Sequence, residues 1–542
     1  MIPALIDSER ASRRLVEALR SPACYPHPVD TVEIIETHIS FILLAGEHAY
    51  KILKPVDLGF LDFTTLARRR EDCHRALVLN RRFNRRLYLE VTPITGSTTQ
   101  PRIGGSGEPV EYALHMQRFD PARTLDHLIA DRPPAREDWD ALAHHIGTIH
   151  AGLPRAPECS LFGSPEVVRE SMLDNFDAIE ARLPDRKEQI DALRTRTREW
   201  LSELANDFDL RWRGGWIREC HGDLHLANLL QEPERPIEVF DCLEFSDRLR
   251  IIDTLSDIAF LLMDLDYHAR RDLAHRVLDQ YLEAANDYMG LTLLRPYLAY
   301  RAMVRAKVAA IGLLQAREIG DRARERETHD SLESHLSLAE RYLTSEPEKP
   351  LLILMHGVSG SGKSRLAMAL VETMGAIRIR SDVERKRLLG LTPDEDTRKA
   401  GVDAYTPAMT RATYRRLRAL AFGLLDAGMT VIVDATFLRR EQRRPFLQMA
   451  HLLGVPVRIL DVTAPDAILR QRVMRRQQAC TDPSEAGLEI LETQLRSREA
   501  LTAEEQAIAI ALDTSQPIDI PALARELGAA QITPCIPDVV QK

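Results

Sequence analysis

Two groups of residues on this chain have the types and spacing to handle phosphate. In the first, Gly357-Val358-Ser359-Gly360-Ser361-Gly362-Lys363-Ser364 fits G-x-x-x-x-G-K-[ST] at every fixed position. The apolar run Leu351-Leu352-Ile353-Leu354-Met355 leads straight into it. A buried strand would deliver the chain to a glycine loop, and the loop would open a helix whose free N–H groups face an anion. All eight residues are expected at the phosphates of a nucleoside triphosphate, with Lys363 on the outer ones and the Ser364 hydroxyl on Mg2+. The second group is His221-Gly222-Asp223-Leu224-His225-Leu226-Ala227-Asn228, followed by Val239-Phe240-Asp241. At this spacing Asp223 can orient and deprotonate an acceptor hydroxyl, while Asn228 and Asp241 hold metal ions bridging the phosphates. A plain Asp/Asn-rich turn between two strands is the alternative.

Further carboxylates and arginines follow the glycine loop. Ile377-Arg378-Ile379-Arg380 runs into Ser381-Asp382, and Val431-Ile432-Val433 runs into Asp434. A carboxylate at a strand tip beside the phosphates can take a proton from a hydroxyl, so Asp382 is the expected general base. A helix N-cap role is also open to it and is compatible. Arg385, on the turn after it, is placed to clamp the acceptor. Asp434 would orient the Mg2+ shell directly or through water, with Thr436 following it into the cleft. Arg472 and Arg476 share one face of a basic helix, which is either a solvated surface or a lid over the transferring phosphate.

These residues need elements to hold them. Short apolar runs at 351–355, 376–380, 430–433, 457–462 and 507–512 alternate with helical stretches. That is the pattern of a doubly wound parallel sheet. Upstream, Val32 to Lys54 reads as strands broken by the hairpin signal Ala45-Gly46-Glu47, and Leu87 to Ile94 and Val110 to Gln117 add two more. Gly104-Gly105-Ser106-Gly107 has no helix behind it and reads as a hairpin connection. From Leu125 helices dominate, among them Trp139–Leu153, Met172–Leu183 and Gln189–Phe208. Lys51, in Ala49-Tyr50-Lys51, is expected to grip the α/β-phosphates from an early strand, with Glu71 on the following helix as its nearest acidic partner. Residues 344–350, polar with two prolines, form the clearest linker. The expected domains are 1–343 and 351–526, with 527–542 a loose tail.

The net charge of −9 offers no basic field for nucleic acid or anionic membrane. Seven cysteines without a C-x-x-C pair read as a reduced inventory. Neither a signal segment nor an apolar stretch of membrane length is evident, so the expected location is cytoplasmic. His144, His145 and His150 do not share a helical face, and no metal site is expected of them. Arg301 and Arg305 share a face and read as snorkelling surface arginines, with lining of an acceptor cleft the other option.

Residues 30–310 resemble the aminoglycoside phosphotransferase and choline kinase branch of the protein-kinase-like fold. The likeness lies in Tyr50-Lys51-Ile52-Leu53-Lys54-Pro55, Gly59-Phe60-Leu61-Asp62-Phe63, Leu79-Asn80-Arg81-Arg82, His221–Asn228 and Phe240–Phe245. The pattern departs where relatives place acidic residues just after the cysteine of the lobe helix; here the chain reads Cys73-His74-Arg75-Ala76. Residues 351–515 resemble the small P-loop kinases that include gluconate kinases, polynucleotide 5′-kinases and zeta toxins. The matching positions are Gly357–Ser364, Ser381-Asp382, Asp434-Ala435-Thr436, Arg472, Arg476 and the segment Asp482–Ala486. The whole chain resembles bacterial proteins described as bifunctional aminoglycoside phosphotransferase/ATP-binding proteins.

The resemblance implies a mixed α/β and α+β protein of two modules, a bilobal kinase-like one and a doubly wound P-loop one. It further implies ATP-dependent transfer of the γ-phosphate to a small-molecule hydroxyl acceptor, with ATP and Mg2+ serving both modules. A polynucleotide end stays open as an acceptor. The rival expectation is a regulatory switch, with an ATPase P-loop module and a degenerate kinase-like platform. A toxin-like kinase acting on nucleotide sugars is a third.

Overall fold

The computed structural model describes residues 3–57, 62–157, 160–345, 349–397, 399–479 and 486–529. Gly59, Phe60, Leu61, Asp482–Glu485 and most of the expected tail therefore lie outside the described residues. The chain divides into two compact units. The first comprises Met1–Leu142, Ile149–Asp264 and Tyr300–Leu336, and the second Ala143–Thr148, Leu265–Ala299 and Ser337–Lys542. This division differs from the sequence expectation in one main segment: Leu265–Ala299 groups with the P-loop sheet, and the 344–350 linker lies inside the second unit.

The first unit opens with a six-stranded antiparallel sheet in the order β1-β2-β3-β6-β4-β5. Its strands are β1 Val32–Glu36, β2 Ser40–Ala45, β3 His48–Leu53, β4 Tyr88–Gly96, β5 Pro101–Ile103 and β6 Glu111–Gln117. The expected hairpin pairs Ala45 with His48 across Gly46, whose φ is +57°. The short β5 was not expected from the sequence. Alternation along β3 sends Tyr50 and Ile52 into an apolar cluster with Leu15, Leu19 and Leu43, so Lys51 faces the other way. On that other face the helix Leu66–Phe83 lays Ala76 against Leu114 and Leu87.

The helical part that follows carries short strand pairs which shape the loops: β7 Ile217–Glu219 with β10 Ile251–Asp253, and β8 Leu229–Leu230 with β9 Glu238–Val239. The predicted helix Gln189–Phe208 is two helices, Lys187–Glu203 and Ala205–Arg213.

The second unit is built on a five-stranded parallel sheet in the order β12-β13-β11-β14-β15. These strands are β11 Leu352–His356, β12 Ile377–Arg380, β13 Val431–Asp434, β14 Val457–Thr463 and β15 Ala509–Asp513. Every residue of β11, β12 and β13 is buried, and β11 and β13 are apolar up to the polar residue at their carboxyl ends, whereas β12 alternates isoleucine with arginine. The chain leaves central β11 with β13 on one side and β14 on the other, so the carboxyl ends open a crevice there.

Candidate active sites

In the first unit, Lys51 Nζ meets Glu244 Oε1 at 3.0 Å and Asp241 Oδ1 at 3.7 Å. Burial alone would lower this lysine's pKa, but the two carboxylates outweigh it and drive it well above the ordinary range. Glu71, the expected partner, is corrected: it is 74% exposed and reaches only Arg75 at 3.9 Å. One residue on, about 100° around the helix, Asp72 takes the inner face. It is buried, and its Oδ2 has no hydrogen-bond partner. Desolvation, and then the charge of Glu244, push its carboxyl up to about 7.

Asp241 sits in the left-handed region at φ +61°, a conformation that costs a non-glycine residue about 1 kcal/mol. Its N–H donates to Tyr88 Oη at 2.9 Å, and the next N–H donates to Asn80 Oδ1 at 2.8 Å, which holds the turn. Asn228 Nδ2 donates to Asp223 Oδ2 at 3.1 Å and to the Asp223 carbonyl at 2.8 Å. His225 Nε2 lies 3.3 Å from the same carboxylate. Burial opposes ionisation of Asp223. The hydrogen bond and charge of His225, then the charges of His221 and Arg305, nonetheless hold it far below the usual carboxylate range.

The loop carrying Asp223 is hung from buried side chains. Asp257 accepts from His221 N at 3.0 Å, from Gly222 N at 2.8 Å and from His150 Nε2 at 3.2 Å. Asp264 accepts from Leu226 N at 2.8 Å. Gly222 is at φ +87°, and a Cβ there would stand 2.9 Å from the Leu249 carbonyl. Arg301 is not a surface arginine, as the sequence suggested. It is 4% exposed, donates to the carbonyls of Ser256 and Gly222 at 3.0 and 3.3 Å, and lies over the Phe260 ring. His150, Cys220 and Asp257 are close enough to share an ion, but the Asp257 carboxylate is engaged by the loop amides.

In the second unit, Gly357 needs its missing side chain, because a Cβ would stand 2.3 Å from the Val462 carbonyl. Gly362 opens the helix Lys363–Met374. A cavity of about 870 Å³ lies over the loop, lined by Ser359, Gly360, Gly362, Lys363, Ser364, Asp382, Asp434, Arg472 and Arg476. Thr436 lines it as well. Gly357, Val358 and Ser361 shape the loop without lining that cavity, and Val358 packs with Leu438, Leu469, Val473 and Leu491.

Lys363 Nζ donates to the Val358 carbonyl at 2.8 Å. Desolvation lowers its pKa to about 8, with the charges of Asp434 and Asp382 holding back part of that fall. Asp434 is buried with its Oδ2 lacking a hydrogen-bond partner. Asp434 and Ser364 both line the cavity, and a carboxylate and a hydroxyl are hard oxygen donors that fit a divalent cation such as Mg2+. Asp382 lies in the first turn of the helix Ser381–Leu388, with Arg380 rather than Asp382 at the N-cap. It pairs with Arg385, whose guanidinium lies over the Tyr405 ring at 4.7 Å and whose buried Nε has no partner. Arg385 does not itself line the cavity.

Arg472 donates to Thr514 Oγ1 at 2.7 Å and to the Gly360 carbonyl at 3.3 Å, and Arg476 to the Ala486 carbonyl at 2.7 Å. Gln494 Oε1 accepts from Ser359 N at 2.7 Å. Sequence reasoning passed over Thr514, Gln494, Glu244, Asp257 and Asp264. Only Glu244 had a nearby signal, its place just after Asp241.

Comparison with known proteins assigns one family to the stretch carrying each site. Residues 61–294 match a family model described as the phosphotransferase enzyme family, and residues 352–501 match one described as an AAA domain. The chain belongs to the phosphotransferase enzyme family. It is an enzyme of two modules, one kinase-like and one of the P-loop kinase fold. Uncharacterized proteins of Mycobacterium tuberculosis and Mycobacterium bovis are relatives of this phosphotransferase. Each is 30% identical over 424 residues, covering 76% of this chain and 80% of its own. Among solved structures, a gluconokinase from Sinorhizobium meliloti overlaps 34% of this chain and 92% of its own at 22% identity and TM-score 0.24. A GDP complex of an aminoglycoside 2'-phosphotransferase overlaps 58% and 94% at 13% identity and TM-score 0.32. Overlaps of that size add nothing to the family assignment, which rests on sequence. Among the described residues no helix is long and apolar enough to cross a membrane.

Proposed function

We propose that this phosphotransferase moves the γ-phosphate of ATP to small-molecule hydroxyl acceptors, with one nucleotide site in each unit, and that it works in the cytoplasm. The observation carrying the proposal is the single cavity in which Lys363, Ser364, Asp434 and Asp382 converge. There the loop amides and Lys363 bind the phosphates, Ser364 and Asp434 would hold Mg2+, and Asp382 accepts the acceptor's proton at its carboxylate. Arg385, released from Asp382 as the acceptor enters, clamps it, while Arg472 and Arg476 neutralise charge on the phosphate in flight. In the first unit Lys51 binds the α/β-phosphates, Asn228 and Asp241 would hold Mg2+, and Asp223 orients and deprotonates the acceptor hydroxyl. Bound Mg2+ would neutralise charge developing on the bridging oxygens.

The low pKa of Asp223 makes it an acceptor of hydrogen bonds at neutral pH, which suits an orienting role. The test is radiolabelled ATP with panels of sugar, amino-alcohol, nucleoside and oligonucleotide 5′-hydroxyl acceptors. Label should enter an acceptor and be lost with Asp223→Asn or Asp382→Asn, according to the site used. ADP release without any labelled acceptor, indifferent to both substitutions, would instead show a nucleotide-driven switch.

A further inference from the structure

Two arginines interrupt the apolar strand β12. Arg378 and Arg380 alternate along it, so both project to one side, and both are buried. The register pairs Arg380 with Asp434 on β13. Arg378 Nη1 and Arg380 Nε lie 3.9 and 3.8 Å from Asp434 Oδ2, yet no hydrogen bond reaches that oxygen. The guanidiniums turn instead to the helix Arg271–Ala285 of the same unit. Arg378 donates to Asp279 at 2.6 and 3.2 Å and to Glu283 at 3.0 Å, and Arg380 donates to Glu283 at 3.2 Å. Both acids are buried as well.

Two cations this near a desolvated carboxylate are strongly drawn to it. A carboxylate closed off by two guanidiniums could not accept a metal ion. We propose that Asp279 and Glu283 are positioning residues for the P-loop site: by holding Arg378 and Arg380 they leave the Asp434 carboxylate uncapped and free to take the cation that accompanies the nucleotide. This rests on reading the cavity as an Mg2+-nucleotide site. The acids touch no reacting atom; they act through the arginines.

The test is calorimetric titration of the full chain with a non-hydrolysable ATP analogue across a Mg2+ series. The parent chain carries Lys51→Met and Asp241→Asn to silence the other cleft. Glu283→Gln and Asp279→Asn should each raise the Mg2+ concentration for half-maximal tightening by roughly tenfold or more, because each frees a cation beside Asp434. Metal-free affinity should hold or rise, since the freed arginine favours phosphate. Adding Arg380→Gln to Glu283→Gln removes that cation and should return the Mg2+ midpoint toward the parent's. Lower melting temperatures with an unmoved Mg2+ midpoint, or a double variant that does not recover, would overturn the proposal alone. A parent chain that binds the analogue without any Mg2+ response would overturn the site reading, and this proposal with it.

Discussion

Lys51 and Lys363 are the lysines assigned to phosphate in the two units, and their surroundings drive them in opposite directions. Lys51 stands between Glu244 and Asp241, and its pKa rises. Lys363 is folded back onto a backbone carbonyl, and desolvation brings its pKa down to about 8. The first site is a set of side chains gathered from separate elements, Lys51, Asp223 and Asn228 each already paired with another. The second is a loop of backbone amides with a cation whose charge awaits its partner. An incoming phosphate must share Lys51 with two acids, whereas at Lys363 it relieves a desolvated charge. The second site should therefore bind nucleotide more steeply and depend more on a single residue.

The largest test of this contrast is catalytic. Asp223→Asn should lower transfer at the first site by about 10²–10⁴-fold with nucleotide affinity little changed, and Asp382→Asn should do the same at the second. Steady-state rates beside equilibrium binding for each variant would show the split, and a variant losing binding and rate together would break it.

Next is Lys363→Ala, which removes charge-assisted bonds of about 1.5–3 kcal/mol and should weaken nucleotide binding at the second site by roughly 10–150-fold. Calorimetry in the Lys51→Met background reads it directly.

The pH response is smaller and distinguishes the two lysines. Below about pH 8 Lys363 is already protonated, so affinity should be level. Above it, binding must take up a proton, and affinity should fall about tenfold per pH unit until the bound-state pKa is reached. The raised pKa of Lys51 keeps the first site flat across that window, so fluorescent-nucleotide titrations with either site silenced should diverge.

The smallest expected effect is at Glu71, exposed and only loosely paired. Glu71→Ala should shift stability by less than about 0.5 kcal/mol and leave nucleotide affinity alone, whereas Glu244→Gln should alter affinity at the first site. Thermal melts beside binding curves would show whether Glu71 has been misplaced.

Much of both sites was legible in the chain because their chemistry is written over short distances. The glycine loop, the run into it and the helix after it occupy consecutive residues, and the same holds for His221–Asn228. The Lys51 partner was misread because Glu71 is the nearest acid on the next helix, whereas the acid that reaches Lys51, Glu244, lies 193 residues along the chain. Arg301 was misread because a buried arginine and a surface one look alike until the carbonyls of Gly222 and Ser256 are placed beside it.

By itself, then, the chain determined two candidate phosphate-binding motifs, a parallel sheet under one and a β-then-α order under the other. Local spacing and hydrophobic period are enough for that. Tertiary structure decided which acids hold which cations: Glu244 meets Lys51 across 193 residues of chain, and Asp279 meets Arg378 across 99. Such pairs depend on where distant elements are brought to rest against one another, and charge acts through space with no trace in sequence spacing.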